Sequence, residues 1–344
     1  MNILLTCAGR RNYLVQYFRD ALDGHGKIYA ADTNPNASVL QEADESFIVP
    51  SVNQPDYFDV LKNICRQHRI RLLISLSDLE LPLLARKRED FLKIGTILIV
   101  SVPHVVDICF DKYRTLDFLK NNGLATPRTY MNLEDVKEAL SQGEVTFPLV
   151  VKPRWGTASI AIDYPQNVEE LGLAYSLAKR RIKRTILAEA SMADYERSIL
   201  VQEFLDGEEF GLDIVNDLDG NYATTFVKRK LAMRAGETDR AITVDSEQLQ
   251  ELGQLIGGKL CHIGNLDCDV FVREGICYVL ELNPRFGGGY PFSQVAGANI
   301  PAALIAWADG KEPDPSWLKV MPNVMASKCD RLVIRRNELN ETIR

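Results

Sequence analysis

Residues 265–285 read NLDCDVFVREGICYVLELNPR. Two runs rich in β-branched and aromatic residues flank a short glycine-containing segment at 273–275, and this pattern is typical of a β-hairpin. We expect a loop of three residues, which places Val272 opposite Ile276. Because the side chains of a strand point alternately to its two faces, odd-numbered residues then face odd-numbered residues across the hairpin.

Four polar side chains share one face of this predicted hairpin, at the end away from its loop. They are Asp267, Asp269, Glu281 and Asn283, with Asp267 directly opposite Glu281. Carboxylates at this spacing repel one another unless a cation neutralises them, and oxygen donors alone suit a hard ion such as Mg²⁺ or Mn²⁺. Two alternatives remain open: the acids form a solvated strand face, or a two-residue loop puts Asp269 and Glu281 on opposite faces.

Basic residues and glycines stand close to this cluster. Arg285 precedes three glycines at 287–289, which would let the backbone approach a charged ligand closely, although a plain flexible loop has the same composition. An earlier basic stretch contains Lys228 and Arg234. A charge run is usually a solvated face, but these side chains could also face a phosphate and an acidic substrate.

The composition is that of an ordinary globular protein. The chain has 344 residues, 46% of them hydrophobic and 25% charged, with a net charge of −7. At roughly 150 residues per domain this length predicts two or three domains. The acidic balance argues against general binding of nucleic acid or of an anionic membrane. The longest apolar run, 94–102, is less than half of the roughly 20 residues that a membrane span needs.

The N-terminus and the cysteines predict a cytoplasmic protein. The first six residues carry no basic region ahead of their apolar stretch, as a signal peptide would, and instead predict a strand from residue 2. The seven cysteines are scattered and form no Cys-x-x-Cys motif. We therefore expect reduced thiols, with neither a zinc site nor a disulfide framework.

Two kinds of pattern divide the chain. Strands and amphipathic helices alternate over the first hundred residues, which predicts a parallel sheet wrapped by helices. From about residue 107 onward, strands separated by short turns become common. The fold class we expect is an α/β unit followed by an α+β region, with boundaries at 1–105, 106–190 and 191–344.

The first strand leads into a loop that contains Gly9, Arg10 and Arg11 and then into a helix. A glycine turn at a helix N-terminus suits an anion, and Asp32, after the second strand, could contact a ribose. The dinucleotide fingerprint Gly-x-Gly-x-x-Gly is nevertheless absent, since Gly9 is the only glycine of the loop. Nicotinamide-dependent hydride transfer is therefore disfavoured. The sequence assigns no role to this loop or to Asp267.

Five sequence elements together resemble the ATP-grasp superfamily. Residues 281–285 resemble its second metal-binding motif, and Asp269 falls at its first metal ligand. Three further elements occur in the family's order: a phosphate-binding strand, an adenine-binding hinge and a helix that carries a nucleotide-facing lysine, at 148–153, 201–210 and 111–127. The first hundred residues resemble the family's pre-ATP-grasp domain, which is Rossmann-like. The similar branches are the carbamoyl-phosphate-synthase-like and biotin-carboxylase-like members.

The resemblance implies a role for each matching residue. ATP would bind through its phosphates to two lysines, through adenine to the hinge and through ribose to a glutamate; these are Lys112 and Lys152, the hinge residues Glu203, Phe204 and Leu205, and Glu209. Two Mg²⁺ or Mn²⁺ ions would bind to Asp269, Glu281 and Asn283. Arg285, joined by Lys228 and Arg234, would meet the transferred phosphoryl group and the substrate carboxylate.

The family's phosphate-covering loop is rich in glycine, whereas residues 154–159 here contain one glycine, and we expect a more ordered lid. The domains would be the pre-ATP-grasp domain, a lid subdomain and a large catalytic subdomain, in the boundaries given above.

The expected activity is an ATP-dependent ligase that joins a carboxylate to an amine, or to a thiol, through an acyl phosphate and releases ADP and phosphate. Small-molecule substrates and a homodimer are expected as partners. The alternatives are an enzyme that phosphorylates bicarbonate or carbamate, as carbamoyl phosphate synthase does, and a regulatory nucleotide-binding subunit without turnover.

Overall fold

The computed structural model describes residues 1–156 and 160–334. Within these ranges the strands are β1 (Asn2–Thr6), β2 (Ile28–Asp32), β3 (Glu45–Ile48), β4 (Ile70–Ser75), β5 (Ile97–Leu98), β6 (Thr129–Tyr130), β7 (Leu149–Pro153), β8 (Ile199–Glu203), β9 (Glu208–Asn216), β10 (Tyr222–Arg234), β11 (Glu237–Thr243), β12 (Gly264–Arg273), β13 (Ile276–Asn283) and β14 (Met325–Ser327). The helices are α1 (Asn12–Leu22), α2 (Tyr57–Gln67), α3 (Leu81–Ala85), α4 (Arg88–Leu92), α5 (Pro103–Phe110), α6 (Lys112–Asn121), α7 (Leu133–Ser141), α8 (Val168–Ile182), α9 (Ala188–Met192), α10 (Glu247–Leu260), α11 (Tyr290–Val295) and α12 (Ile300–Ala308).

The first sheet is parallel, with the strand order β3-β2-β1-β4-β5. Strand β1 is apolar on both faces because both faces are covered: Ile3 packs in the core that holds Phe18 of α1, and Leu4 in the core that holds Tyr57 of α2. Parallel strands buried on two sides are expected to be continuously apolar. The predicted α/β unit is confirmed.

The second sheet is antiparallel, with the order β13-β12-β9-β10-β11-β14. Helix α10 packs against one of its faces, where Leu252 and Ile256 share a core with Ile214 and Leu266. Ser246 begins this helix, since its hydroxyl accepts a hydrogen bond from the N–H of Leu249. The opposite face of this sheet carries the charged side chains described below.

The third sheet has the order β6-β8-β7, and α7 and α8 contribute to its core. Strand β7 carries Lys152, and β8 leads into the predicted hinge. Of the predicted lid loop, residues 157–159 lie outside the described residues.

The turn of the acidic hairpin has two residues instead of the three that we expected. Arg273 pairs with Ile276, and the turn residues Glu274 and Gly275 have φ angles of 52° and 78°. Positive φ at both positions is the geometry of the tight turns that match strand twist. With this turn alone, Asp269 and Glu281 would lie on opposite faces.

A β-bulge restores the shared face. Val270 pairs with Val279, but the next pair is Asp269 with Glu281, so Leu280 is the extra residue of β13. Beyond the bulge Asp267 pairs with Asn283. The predicted face is therefore correct, whereas the predicted loop length and the pairing of Asp267 with Glu281 are wrong.

None of the helices in the described part of the chain combines the length and the apolar character that crossing a bilayer requires. All seven cysteines lie within the described ranges and are free thiols.

Candidate active site

A cavity of about 550 Å³ has walls from all three sheets. The first sheet contributes the loop after β1, the third contributes β7 and β8, and the second contributes the charged face of β9 to β13. Most of the predicted site residues line it: Lys112, Lys152, Glu203, Phe204, Leu205, Glu209, Asp269, Glu281, Asn283 and Arg285. The structure thus brings together residues that are up to 173 positions apart in the sequence.

The hinge side of the cavity is apolar. Its lining side chains come from the third sheet, the segment between β7 and α8, the hinge and the acidic hairpin, and include Val150, Ile160, Ile162, Tyr164, Phe204, Leu205, Phe271 and Leu280. The rings of Tyr164 and Phe204 meet edge to face at 6.1 Å. The N–H of Glu203 donates to the Arg128 carbonyl at 2.8 Å and is therefore not available to a ligand. A flat heterocycle fits such a lining.

Lysines and carboxylates alternate next to this apolar side. Lys230 Nζ lies 2.7 Å from Glu209 Oε1 and 2.6 Å from Asp269 Oδ1. Lys112 Nζ lies 2.9 Å from Glu281 Oε2 and donates to the carbonyl of Gly156. These pairs neutralise the acidic face of the hairpin, which would otherwise repel itself.

Lys152 is buried and makes a different contact. Its Nζ donates to Oε1 of Gln202 at 2.7 Å, which is a neutral partner. Burial and the charge of Lys112 lower the pKa of Lys152 to about 8, although Glu281 and Asp269 act in the opposite direction. This ammonium is therefore poorly compensated, and an incoming anion would stabilise it.

Glu281 remains ionised in this environment. Burial opposes its charge, but Lys112 and Lys152 outweigh burial and lower the pKa of Glu281 to about 2. Burial also raises the pKa of Asp269, against the influence of Lys230. A single, partly buried face thus holds two carboxylates of different proton affinity.

The proposed metal ligands offer only oxygen donors to a cation. Asp269 and Glu281 face each other across the hairpin, and Asn283 lies two residues beyond Glu281, to which its amide donates at 3.3 Å. In the described ranges no group of three or more His, Cys, Asp and Glu side chains is arranged to hold a metal; this set has two carboxylates and an amide. Its donor chemistry fits Mg²⁺ or Mn²⁺.

Arg285 is held between two carboxylates. Its guanidinium makes two hydrogen bonds of 2.9 Å to Asp78, in the loop after β4, and one of 3.4 Å to Asp267. Asp267, whose role was open, therefore orients Arg285. Asp78 was missed by sequence analysis; its signal was its place at the carboxyl edge of a parallel sheet, where ligands of such sheets bind.

Two of the predicted site residues, Lys228 and Arg234, are not among the described residues that line the cavity. Lys228 is fully buried, with Nζ 2.6 Å from Asp213. Arg234 is exposed and pairs with Asp239 and Asp330 at 2.8 and 2.6 Å. Lys230 lines the cavity instead. It lies two residues after Lys228, and a period of two was the signal that could have found it.

The three glycines make room for side chains. A Cβ at Gly287 would lie 2.1 Å from Cγ of Asp267, one at Gly288 would lie 3.1 Å from the carboxylate of Glu237, and one at Gly289 would lie 2.7 Å from Cε of Lys228. The close approach that we expected from the glycines thus occurs, but here it is to the protein's own charged groups.

We expect Gly287→Ala to destabilise the protein by roughly 1–3 kcal/mol, because the new methyl group must displace Asp267 from Arg285. Urea unfolding measures the change. Gly172→Ala is the matched control, since its Cβ would meet nothing within 4 Å and it lies in α8, where alanine is favoured over glycine. Equal stability of the Gly287→Ala variant and the wild type would contradict the packing described here.

Comparison with known proteins gives two family matches. Residues 3–99 match the family described as "PylC-like, N-terminal domain", and residues 195–328 match the family described as "ATP-grasp in the biosynthetic pathway with Ter operon". The carbamoyl phosphate synthase large chain of Helicobacter pylori is 24% identical over 262 residues, which are 74% of this chain and 23% of that protein. This chain thus spans about a quarter of the length of that relative.

Solved structures agree with the fold. The biotin carboxylase domain of Hydrogenobacter thermophilus 2-oxoglutarate carboxylase, in complex with MgADP, ADP and bicarbonate, has a TM-score of 0.70 at 16% identity and covers 90% of this chain and 70% of its own. The L-amino acid ligase from Bacillus licheniformis has a TM-score of 0.69 at 18% identity, with coverages of 94% and 76%. The predicted ATP-grasp fold is confirmed.

Proposed function

We propose that this chain, which has the ATP-grasp fold, uses ATP to activate a carboxylate as an acyl phosphate and joins it to an amine. The observation that carries the proposal is the convergence of Lys112 and Lys152 on the face that holds Asp269 and Glu281, with Arg285 beside it. An apolar side, two lysines and an oxygen-donor set line one cavity, and these are the groups that adenine, phosphates and a cation require.

The nucleotide would lie along the cavity. Adenine would occupy the apolar hinge side, and Glu209, which Lys230 holds in place, would accept hydrogen bonds from the ribose hydroxyls. Lys112 and Lys152 would bind the phosphates, and Asp269, Glu281 and Asn283 would hold Mg²⁺. When bound, the metal supplies neutralisation of the charge on the transferring phosphoryl group.

The reaction would proceed in two displacements. A carboxylate oxygen of the substrate attacks the γ-phosphorus, the bond from that phosphorus to the bridging oxygen breaks, and ADP leaves with the electron pair. The amine nitrogen then attacks the acyl carbon, the carbon–oxygen bond to phosphate breaks, and phosphate leaves while the nitrogen gives up a proton. Catalysis of this kind rests on positioning and charge stabilisation.

Arg285 would stabilise the charge that develops in both steps. A guanidinium held by Asp78 and Asp267 cannot swing freely, so its remaining donor capacity is fixed in direction before the substrate arrives. Asp78 and Asp267 are positioning residues in this proposal.

A second candidate function is the phosphorylation of bicarbonate or carbamate. It is favoured by the match to the carbamoyl phosphate synthase large chain, which covers 74% of this chain. The site would use the same residues for ATP, with the smaller anion in place of the carboxylate.

The proposal is tested by a coupled assay for ADP release with Mg–ATP against a panel of carboxylates, amines and bicarbonate. We expect ADP and phosphate to form in equal amounts, and only when both a carboxylate and a nucleophile are present. Turnover with bicarbonate alone would establish the second candidate. Release of AMP and pyrophosphate would contradict both functions.

A further inference from the structure

The loop after β1 forms one end of the cavity. Arg10 and Arg11 both line it. The Arg11 guanidinium donates to the Leu76 carbonyl at 2.6 Å, which anchors it to the end of β4. Arg10 is exposed, and its charge acts on Glu237. Two adjacent guanidinium groups at a cavity wall repel each other unless an anion lies between them.

A carboxylate faces this arginine pair. Glu237 lines the same end of the cavity, over Gly288, and lies 3.1 Å from Lys328 Nζ. Burial opposes its charge, but Lys328, Arg11 and Arg10 outweigh burial and lower the pKa of Glu237. Three cationic side chains thus act on Glu237, and Arg10 also interacts with Asp330. Because Arg11 pairs with a neutral carbonyl and Arg10 is exposed, this end of the cavity has capacity for a further anion.

Tyr13 connects this end of the cavity to the reaction centre. Its hydroxyl donates to the carbonyl of Gly287 at 3.5 Å, and it interacts electrostatically with Arg11, Glu237 and Arg285. The charges of Arg11, Glu237 and Arg285 therefore lie around Tyr13. Arg285 is the arginine proposed to stabilise the transferred phosphoryl group.

We propose that Arg10, Arg11 and Glu237 form a binding site for a zwitterionic amino acid, whose carboxylate pairs with the two arginines and whose ammonium group meets Glu237. The inference rests on the proposed function and names the class of one substrate of that site. A guanidinium pair recognises a carboxylate through paired hydrogen bonds, and a neutral amine or ammonia would use neither arginine. Glu237 beside the two arginines gives the site both signs of charge, as a zwitterion requires.

The test is equilibrium binding, which does not depend on turnover. The twenty common amino acids are offered as a millimolar pool to the wild-type protein with Mg²⁺ and a non-hydrolysable ATP analogue, and binding is detected by saturation-transfer NMR. We expect at least one amino acid to bind, and its amide, which lacks the carboxylate, to bind at least about 10-fold more weakly. Absence of binding by every amino acid, or equal binding of the amide, would overturn the proposal.

Two single substitutions test whether the amino acid binds at the arginine pair. Arg10→Gln is expected to weaken the amino acid about 10-fold or more, whereas Arg66→Gln, at an exposed arginine of α2, leaves it unchanged. Arg10 is exposed, so the variant is expected to fold, and circular dichroism checks this. Equal affinity in the Arg10→Gln variant and the wild type would place the amino acid elsewhere and overturn the proposal.

The affinity for Mg–ATP is measured in the same samples. Loss of amino-acid recognition with intact ATP binding refutes the substrate class alone. Failure of the wild type to bind Mg–ATP refutes the proposed function itself, so the two failures are distinguishable.

Discussion

Replacing Glu281 by glutamine is expected to lower ATP turnover about 10³-fold or more while the protein stays folded. The change keeps the shape of the side chain and removes a charge that faces Asp269 across the hairpin. In the proposed site this charge would hold the cation, and it pairs with Lys112, whose Nζ lies 2.9 Å from Glu281. Removing one preorganised charge from such a site costs about 10²–10³ in rate, and loss of a metal ligand adds to this. ADP release at saturating ATP measures the effect.

Asp267→Asn is the matched control for Glu281→Gln. Both carboxylates lie on the same face of the hairpin, but Asp267 pairs with Arg285, whereas Glu281 pairs with Lys112. Because Asp78 still holds Arg285 through two hydrogen bonds, we expect the loss of turnover to be much smaller. Thermal unfolding followed by circular dichroism establishes that both variants fold. Equal losses in the two variants, or near-normal turnover after Glu281→Gln, would contradict the assignment of the metal ligands.

Replacing Lys152 by methionine is expected to weaken Mg–ATP binding about 10-fold or more, which corresponds to ~1.5–3 kcal/mol for a hydrogen bond to a charged group. Lys152 is buried on β7, and its neutral partner Gln202 leaves its charge available to a phosphate. Isothermal titration calorimetry measures the affinity. Lys120→Met, at an exposed lysine of α6, is the control and should bind Mg–ATP as the wild type does.

Lys152 also predicts a pH dependence of ATP affinity. Its pKa of about 8 in the free protein means that the ammonium loses its proton as the pH rises through 8. Phosphate binding favours the charged form, so above pH 8 the protein must take up a proton to bind ATP. Affinity should be constant below pH 8 and fall above it, approaching tenfold for each pH unit. A pH-independent affinity of the wild type between pH 7 and 9.5, or the same pH profile in Lys152→Met, would contradict this role.

The sequence predicted the elements that local pattern determines. The α/β unit followed from alternating apolar runs, and the shared face of Asp269, Glu281 and Asn283 followed from the period of two along a strand. The pairing register of the hairpin could not be predicted in this way. The two-residue turn shifts the strand pairing by one residue, and the bulge at Leu280 shifts it by one more, which restores the shared face. A bulge depends on how the strand packs against its neighbours, which a single sequence does not display.

The remaining errors arise from contacts between distant segments. Strand β10 continues beyond Lys228 to Arg234 and pairs with β11. This extension places Lys230 in the cavity and Arg234 at the surface. Asp78 reaches Arg285 across 207 positions of sequence, and no local pattern encodes such a pair.

The central claim, activation of a carboxylate as an acyl phosphate, is tested most directly by following oxygen-18. A carboxylate that supports ADP release is labelled with oxygen-18 in both carboxylate oxygens, and the phosphate formed is analysed by mass spectrometry. One carboxylate oxygen becomes the bridge to the γ-phosphoryl group and leaves with it, so the account predicts one labelled oxygen in each phosphate and none in ADP. Label recovered in AMP, or phosphate without label, would contradict it.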